Sequence, residues 1–136
     1  MTLERLNKYA RLRRELEEAE NLKAVMESAV GLKAQVMTGL PHAPGYKNKL
    51  GNIIPKILDD MPLIEAQIES LRREARSLES EISGFISAIP DFQTRAIFKL
   101  RFLGGFTWAW VARTVGGGNS ADTIKKRCYR YLDSHS

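Results

Sequence analysis

Apolar residues recur at three- and four-residue steps through the first 37 positions: Leu6, Tyr9, Leu12, Leu16, Ala19, Leu22, Met26, Ala29 and Val30, then Val36 and Met37. That period gathers them on one stripe of a helix. No proline falls within residues 2–37, and glycine enters only at Gly31, while Lys23 and Lys33 interrupt the stripe. The spacing predicts one long helix over 2–37, with Thr2 as its N-cap and a weak point near Gly31.

The pattern then loosens. Residues 38–62 contain Pro41, Pro44, Pro55 and Pro62 together with Gly39, Gly45 and Gly51. Such a density of breakers predicts an irregular connector. Ile53, Ile54, Ile57, Leu58 and Met61 still repeat helically, and Pro55 suits the first position of a short helical turn. From residue 63 the signal is regular again. Ile64, Ile68, Leu71, Ala75, Leu78, Ile82, Phe85 and Ile89 alternate steps of four and three without a miss until Pro90. A sustained step averaging 3.5 residues makes a coiled-coil seam, on a helix about 40 Å long.

That seam needs a partner. In a parallel homodimer Glu74 would face Glu79 of the other strand, a like-charge pair. Helix 2–37 is available in the same chain, so an intramolecular antiparallel hairpin is the expectation, with dimerisation of two hairpins still open. By itself a heptad seam says packing: a spacer or an oligomerisation rod.

Beyond Pro90 the elements shorten. Asp91 can cap a helix through about Leu103, with Phe92, Ala96, Ile97, Leu100 and Leu103 on its buried side and Gly104-Gly105 as its stop. Thr107 can cap a second helix carrying Trp108, Val111, Ala112 and Val115 at i, i+3, i+4 and i+7. After Gly116-Gly117-Gly118-Asn119, Ser120 can cap a third, with Ile124, Cys128 and Tyr131 or Leu132 inward. Lys125, Lys126, Tyr129 and Arg130 then lie outside and Arg127 at the edge. The predicted fold is all-α: a helical hairpin over 1–89 and a three-helix unit over 90–136.

Charge changes the picture only once it is located. The net +5 does not come from residues 1–90, which hold 13 basic and 13 acidic side chains. It comes from Arg95, Lys99, Arg101, Arg113, Lys125, Lys126, Arg127 and Arg130, opposed only by Asp91, Asp122 and Asp133. A basic end on a neutral body is the electrostatic footprint of a polyanion binder. Two short helices around a Gly-rich turn, the second one basic, describe a helix-turn-helix with the Ser120 helix in the major groove. The expected DNA-binding residues are Ser120, Asp122, Thr123, Lys125, Lys126, Arg127, Tyr129 and Arg130. Asp122 stands where it could accept from a cytosine amino group or repel wrong sites. Trp110 lies off the buried face of its helix and is a candidate partner contact.

The run Phe-Lys-Leu-Arg-Phe-Leu-Gly-Gly-Phe-Thr-Trp-Ala-Trp-Val-Ala-Arg (98–113), followed by Ala-Asp-Thr-Ile-Lys-Lys-Arg (121–127), resembles region four of bacterial sigma factors. With long helices before it, the whole chain resembles the ArpU/RinA-type phage and prophage regulators. The resemblance implies a phage-encoded activator of late genes acting on double-stranded DNA; whether RNA polymerase is a further partner stays open. The turn at Gly116–Asn119 is longer than the usual sigma-like one.

Other chemistry is thin. One cysteine and two histidines leave a structural zinc site short of ligands, no cofactor motif is present, and no enzyme constellation appears. His42 and His135 read as surface residues, Cys128 as a small buried thiol. The glycine turn lacks phosphate-loop spacing. No apolar run is long enough to span a membrane and the start lacks a signal core, so the expected setting is the cytoplasm, which the resemblance implies is that of a bacterial host. Two other classes fit the same pattern: a DNA-packaging adaptor resembling a small terminase subunit, and a purely structural coiled-coil protein.

Overall fold

A computed structural model describes the backbone of residues 1–37 and 44–135, and the side chains of residues 1–31 and 56–135. Every regular element among them is helical: α1 (Leu3–Met37), α2 (Pro44–Ser87), α3 (Phe92–Phe98, continued by a π-helical turn over Lys99–Leu103), α4 (Trp108–Val115) and α5 (Ala121–His135). Thr2 caps α1, its hydroxyl accepting from the Arg5 N–H at 3.3 Å, and the helix passes through Gly31 without a break.

The expected connector over 38–62 is a correction. Residues 38–43, and with them His42, lie outside the described residues, but α2 is already helical from Pro44. Pro44 is its first residue, where a missing N–H costs no hydrogen bond. Pro55 and Pro62 fall inside the helix, each deleting one backbone donor. Ile57, Met61 and Ile64, all half-buried, continue the apolar row across that stretch into Ile68. Packing of that row outweighs local propensity, which is a weak determinant beside tertiary context.

The chain forms two compact units, Arg14–Arg73 and Met1–Arg13 with Glu74–Ser136. In the first, Met26, Ile68 and Leu71 are buried. Arg72 meets Glu20 at 2.9 Å and Lys23 meets both Glu27 and Glu65 at 3.7 Å. Pairing partners fall in number along α2 as they rise along α1, which is compatible with a hairpin. Leu22, expected in the stripe, is 52% exposed, and Lys23 takes the inward position instead, its ammonium reaching two carboxylates. Its aliphatic stem covers apolar surface while the charge stays paired.

In the second unit Leu6, Tyr9 and Leu12 of α1 share the interior with Ala75, Leu78, Ile82, Ile86 and Ile89. Arg5 pairs with Glu81, and Lys8 with Glu74 at 3.1 Å. Glu79 lies beside Tyr9, whose hydroxyl is raised above its ordinary pKa by burial and by that carboxylate. Both glutamates that would repel in a parallel pair thus face α1. The end of α2 tightens, with the Ala88 N–H donating to Phe85 and the Ile89 N–H to Ile86, before Pro90.

The interior continues into the last three helices. Phe98 is wholly buried, with ring centroids 6.0 Å from Phe85 of α2, 5.4 Å from Phe102 and 5.7 Å from Tyr131 of α5. Asp91 caps α3 as expected, but the buried face is Thr94, Ile97, Phe98 and Phe102, and Phe92 is 75% exposed. Packing of Phe98 between α2 and α5 sets this phase. The π-helical turn ends with the Gly104 N–H on the Lys99 carbonyl at 2.9 Å. A Cβ on Gly104 would stand 2.7 Å from the Leu100 carbonyl oxygen, so only glycine fits there.

Candidate nucleic-acid interface

Thr107 starts α4, its hydroxyl accepting from the Trp110 N–H at 3.2 Å. Val111 and Ala112 are buried and Trp108 and Val115 half-buried, the face expected from their spacing. Gly116, Gly117 and Gly118 all have φ between 72° and 75°. Three consecutive left-handed residues reverse the chain in a way only glycine adopts cheaply. Asn119 closes the turn, donating to the Gly116 carbonyl at 3.4 Å. Ser120 then caps α5: its hydroxyl accepts from the Thr123 N–H at 3.2 Å and lies 2.9 Å from the Thr123 hydroxyl.

The α5 helix divides sharply. Ile124, Cys128 and Leu132 are buried, while Asp122, Thr123, Lys126 and Arg130 are exposed on the opposite side. Burial pushes the Cys128 thiol up to about 12 despite the nearby charges of Arg127 and Arg101, so it is inert packing. On the outer side Lys126 Nζ sits 3.0 Å from Asp122 Oδ2, one turn back, with both side chains well exposed. Arg130 follows one turn further along the same line.

The flanks of α5 are more occupied than their spacing implied. Arg127 donates to Gln93 Oε1 at 2.7 Å, tying α5 to the first turn of α3. On the other flank Lys125 lies over the Tyr129 ring at 5.8 Å, Tyr129 meets the edge of Trp108 at 6.3 Å, and Arg101 covers Trp108 at 4.8 Å. Arg101 also donates to the Phe106 carbonyl at 2.9 Å. Trp110 is half-buried and stacks on Phe106, centroids 4.0 Å apart. Gln93 and Phe106 were not singled out by sequence reasoning. The wide spacing between Gln93 and Arg127 carries no local signal, whereas an aromatic two residues beyond Gly104 was visible. At the α4–α5 corner an open cleft is lined by Arg113, Asn119, Ser120 and Ala121 among others.

The rest of the candidate chemistry is placed simply. His135 stacks on Tyr131 with centroids 4.0 Å apart at the end of α5. Hydrogen bonds from the Thr94 hydroxyl and then its N–H hold the exposed Asp91 carboxyl below its ordinary range. Among the described residues no group of three or more His, Cys, Asp or Glu side chains comes together to hold a metal, and no helix is long and apolar enough to cross a membrane. What the arrangement offers is an exposed helical face bearing two cations and one carboxylate, braced from both flanks. Compared with protein-family models, with curated proteins and with solved structures, the chain gives no match.

Proposed function

We propose that this protein is a sequence-specific DNA-binding transcriptional regulator, of the phage and prophage kind that the whole chain resembles. The observation that carries the reading is the division of α5: apolar Ile124, Cys128 and Leu132 inward, Lys126 and Arg130 outward. In this reading α4, the glycine turn and α5 form a helix-turn-helix, and α5 enters the major groove with its first turns nearest the bases. Lys126 then reaches base edges, and Arg130 and Lys125 neutralise phosphates. Arg127, held by Gln93, fixes the angle of α5, and Ser120 and Thr123 present the helix start to the backbone. One such module covers roughly 600–1,000 Å² of DNA contact, little for tight specific binding, so two copies act together as a homodimer on paired half-sites. RNA polymerase is a candidate further partner of an activator of this kind.

The test is selection of bound sequences from random duplex DNA by the full-length chain, followed by a salt titration on the enriched site. A defined sequence should emerge, bound at least about 10³-fold more tightly than random duplex, with affinity falling steeply as salt rises. Failure to enrich any sequence, with equal affinity for all duplexes, overturns sequence-specific regulation and leaves an electrostatic grip of the kind a packaging adaptor uses.

A further inference from the structure

Asp122 is out of place on a surface built to attract a polyanion. Between Phe92 and Leu132 it is the only acid, among eight basic residues. It stands in the first turn of α5, where a major-groove helix comes closest to the bases. Its carboxylate suits the positive end of the helix, yet it lowers the attraction of this face for any phosphate.

Its geometry bears on what it does there. Asp122 Oδ2 and Lys126 Nζ are 3.0 Å apart on the exposed line of α5, an acceptor and a donor presented side by side. In the major groove a G·C pair presents the complementary arrangement: the guanine O6 and N7 acceptors beside the cytosine N4 amino donor. O6 and N4 are hydrogen-bonded to each other in the base pair, so they lie about 2.9 Å apart, the usual N–H···O length. The spacing of the protein pair therefore matches that of the two base groups. An A·T pair presents adenine N6 as donor and thymine O4 as acceptor, with the methyl group of thymine beside O4, a poorer seat for a charged ammonium.

We propose that Asp122 and Lys126 act as one unit that reads a G·C pair, Asp122 accepting from cytosine N4 and Lys126 donating to guanine O6 or N7. The inference rests on the DNA-binding reading above. In free protein the two side chains satisfy each other; on a G·C pair each exchanges its partner for a base group of the same polarity. An A·T pair also offers a donor and an acceptor, so discrimination rests on the loss of the adjacent O6 and N7 acceptors of guanine and on the poorer seat of the ammonium beside the thymine methyl.

The test compares three full-length proteins, wild type, Asp122→Ala and Lys126→Ala, in the random-duplex selection, then on the wild-type site with each G·C position replaced in turn. Wild type should enrich a site with a G·C position whose replacement by A·T weakens binding about tenfold. Both variants should lose that preference at the same position, and Asp122→Ala should bind random duplex more tightly. Replacing guanine by inosine there, which leaves the major-groove edge unchanged, should have no effect. Asp122 and Lys126 are exposed, so unchanged helix content by circular dichroism is expected and is checked for each variant. A site enriched by wild type whose G·C preferences survive intact in Asp122→Ala overturns this inference while leaving the DNA-binding reading standing. No enriched site at all overturns both.

Discussion

Phe98→Ala is the perturbation that probes most of the architecture at once. Phe98 is 0% exposed and its ring meets Phe85 of α2, Phe102 of the π-helical turn and Tyr131 of α5. Truncating a fully buried phenylalanine costs about 3–5 kcal/mol in lost transfer and residual cavity. Three edge or tilted ring contacts disappear with it, each worth about 0.5–1.5 kcal/mol beyond area, though they overlap with the cavity term and do not add in full. We expect a loss of about 4 kcal/mol, a large part of the roughly 7–20 kcal/mol typical of a chain this long. Trp108 and Trp110 are the only tryptophans, and both report on this unit by fluorescence. In a urea titration the midpoint should fall by roughly 2 M at an unchanged slope. Phe98→Leu should cost about 1.5 kcal/mol or less. A double-mutant cycle with Phe85→Ala should show coupling of about 0.5–1.5 kcal/mol. A loss below about 1 kcal/mol for Phe98→Ala, or zero coupling to Phe85, would refute the claim that α3 and α5 are packed onto the end of α2 through this ring.

Four further outcomes are expected. Cys128, with its pKa pushed up to about 12, should resist an aromatic disulfide reagent at pH 8 in native protein and react fully once unfolded in urea; fast native labelling would place it outside the core. Because its folded pKa is lowered, Asp91 contributes stability that is present above the unfolded value of about 3.9 and lost as pH falls through the folded one. The urea midpoints of wild type and Asp91→Ala should therefore differ near neutrality and converge in acid. Gly104→Ala should destabilise by about 1–3 kcal/mol, since its Cβ would meet the Leu100 carbonyl oxygen, and a melting scan checks it. Arg130→Ala should weaken binding to preferred and random duplexes alike and lower the salt slope by about one unit, read from affinities over a salt series.

Where an element is fixed by its own residues, the sequence was a good guide. Thr2, Asp91, Thr107 and Ser120 each have the side chain a cap needs at a helix start, and each hydroxyl or carboxylate accepts a backbone N–H three residues on. The steps Ile68, Leu71, Ala75, Leu78 and Ile82 are all buried, as a 3.5-residue seam requires. What failed depended on distant partners. Phe92 and Phe98 are equally apolar, and only the meeting of Phe98 with Phe85 and Tyr131 decides which turns inward. Pro55 and Pro62 argued against a helix that the apolar row around them sustains. On the candidate interface, the outward placement of Lys126 and Arg130 was legible from periodicity. The engagement of Arg127 by Gln93, 34 residues away, was not.

The pairing of residues 1–13 with residues 74–136 in one compact unit has a consequence for the order of folding. Arg13 donates to the Leu103 carbonyl across 90 positions, and Arg5 meets Glu81 across 76. Contacts of such separation are slow to form, because the intervening chain must first be closed into a loop. During synthesis Leu6, Tyr9 and Leu12 leave the ribosome long before Ile82, Ile86 and Phe98 exist to cover them. At about 5–20 residues per second the wait lasts several seconds. For that interval the apolar side chains of residues 1–13 are uncovered, open to chaperones, to other nascent chains and to proteases. Within this unit the basic helix α5 emerges after the other elements, and its arrival completes the unit.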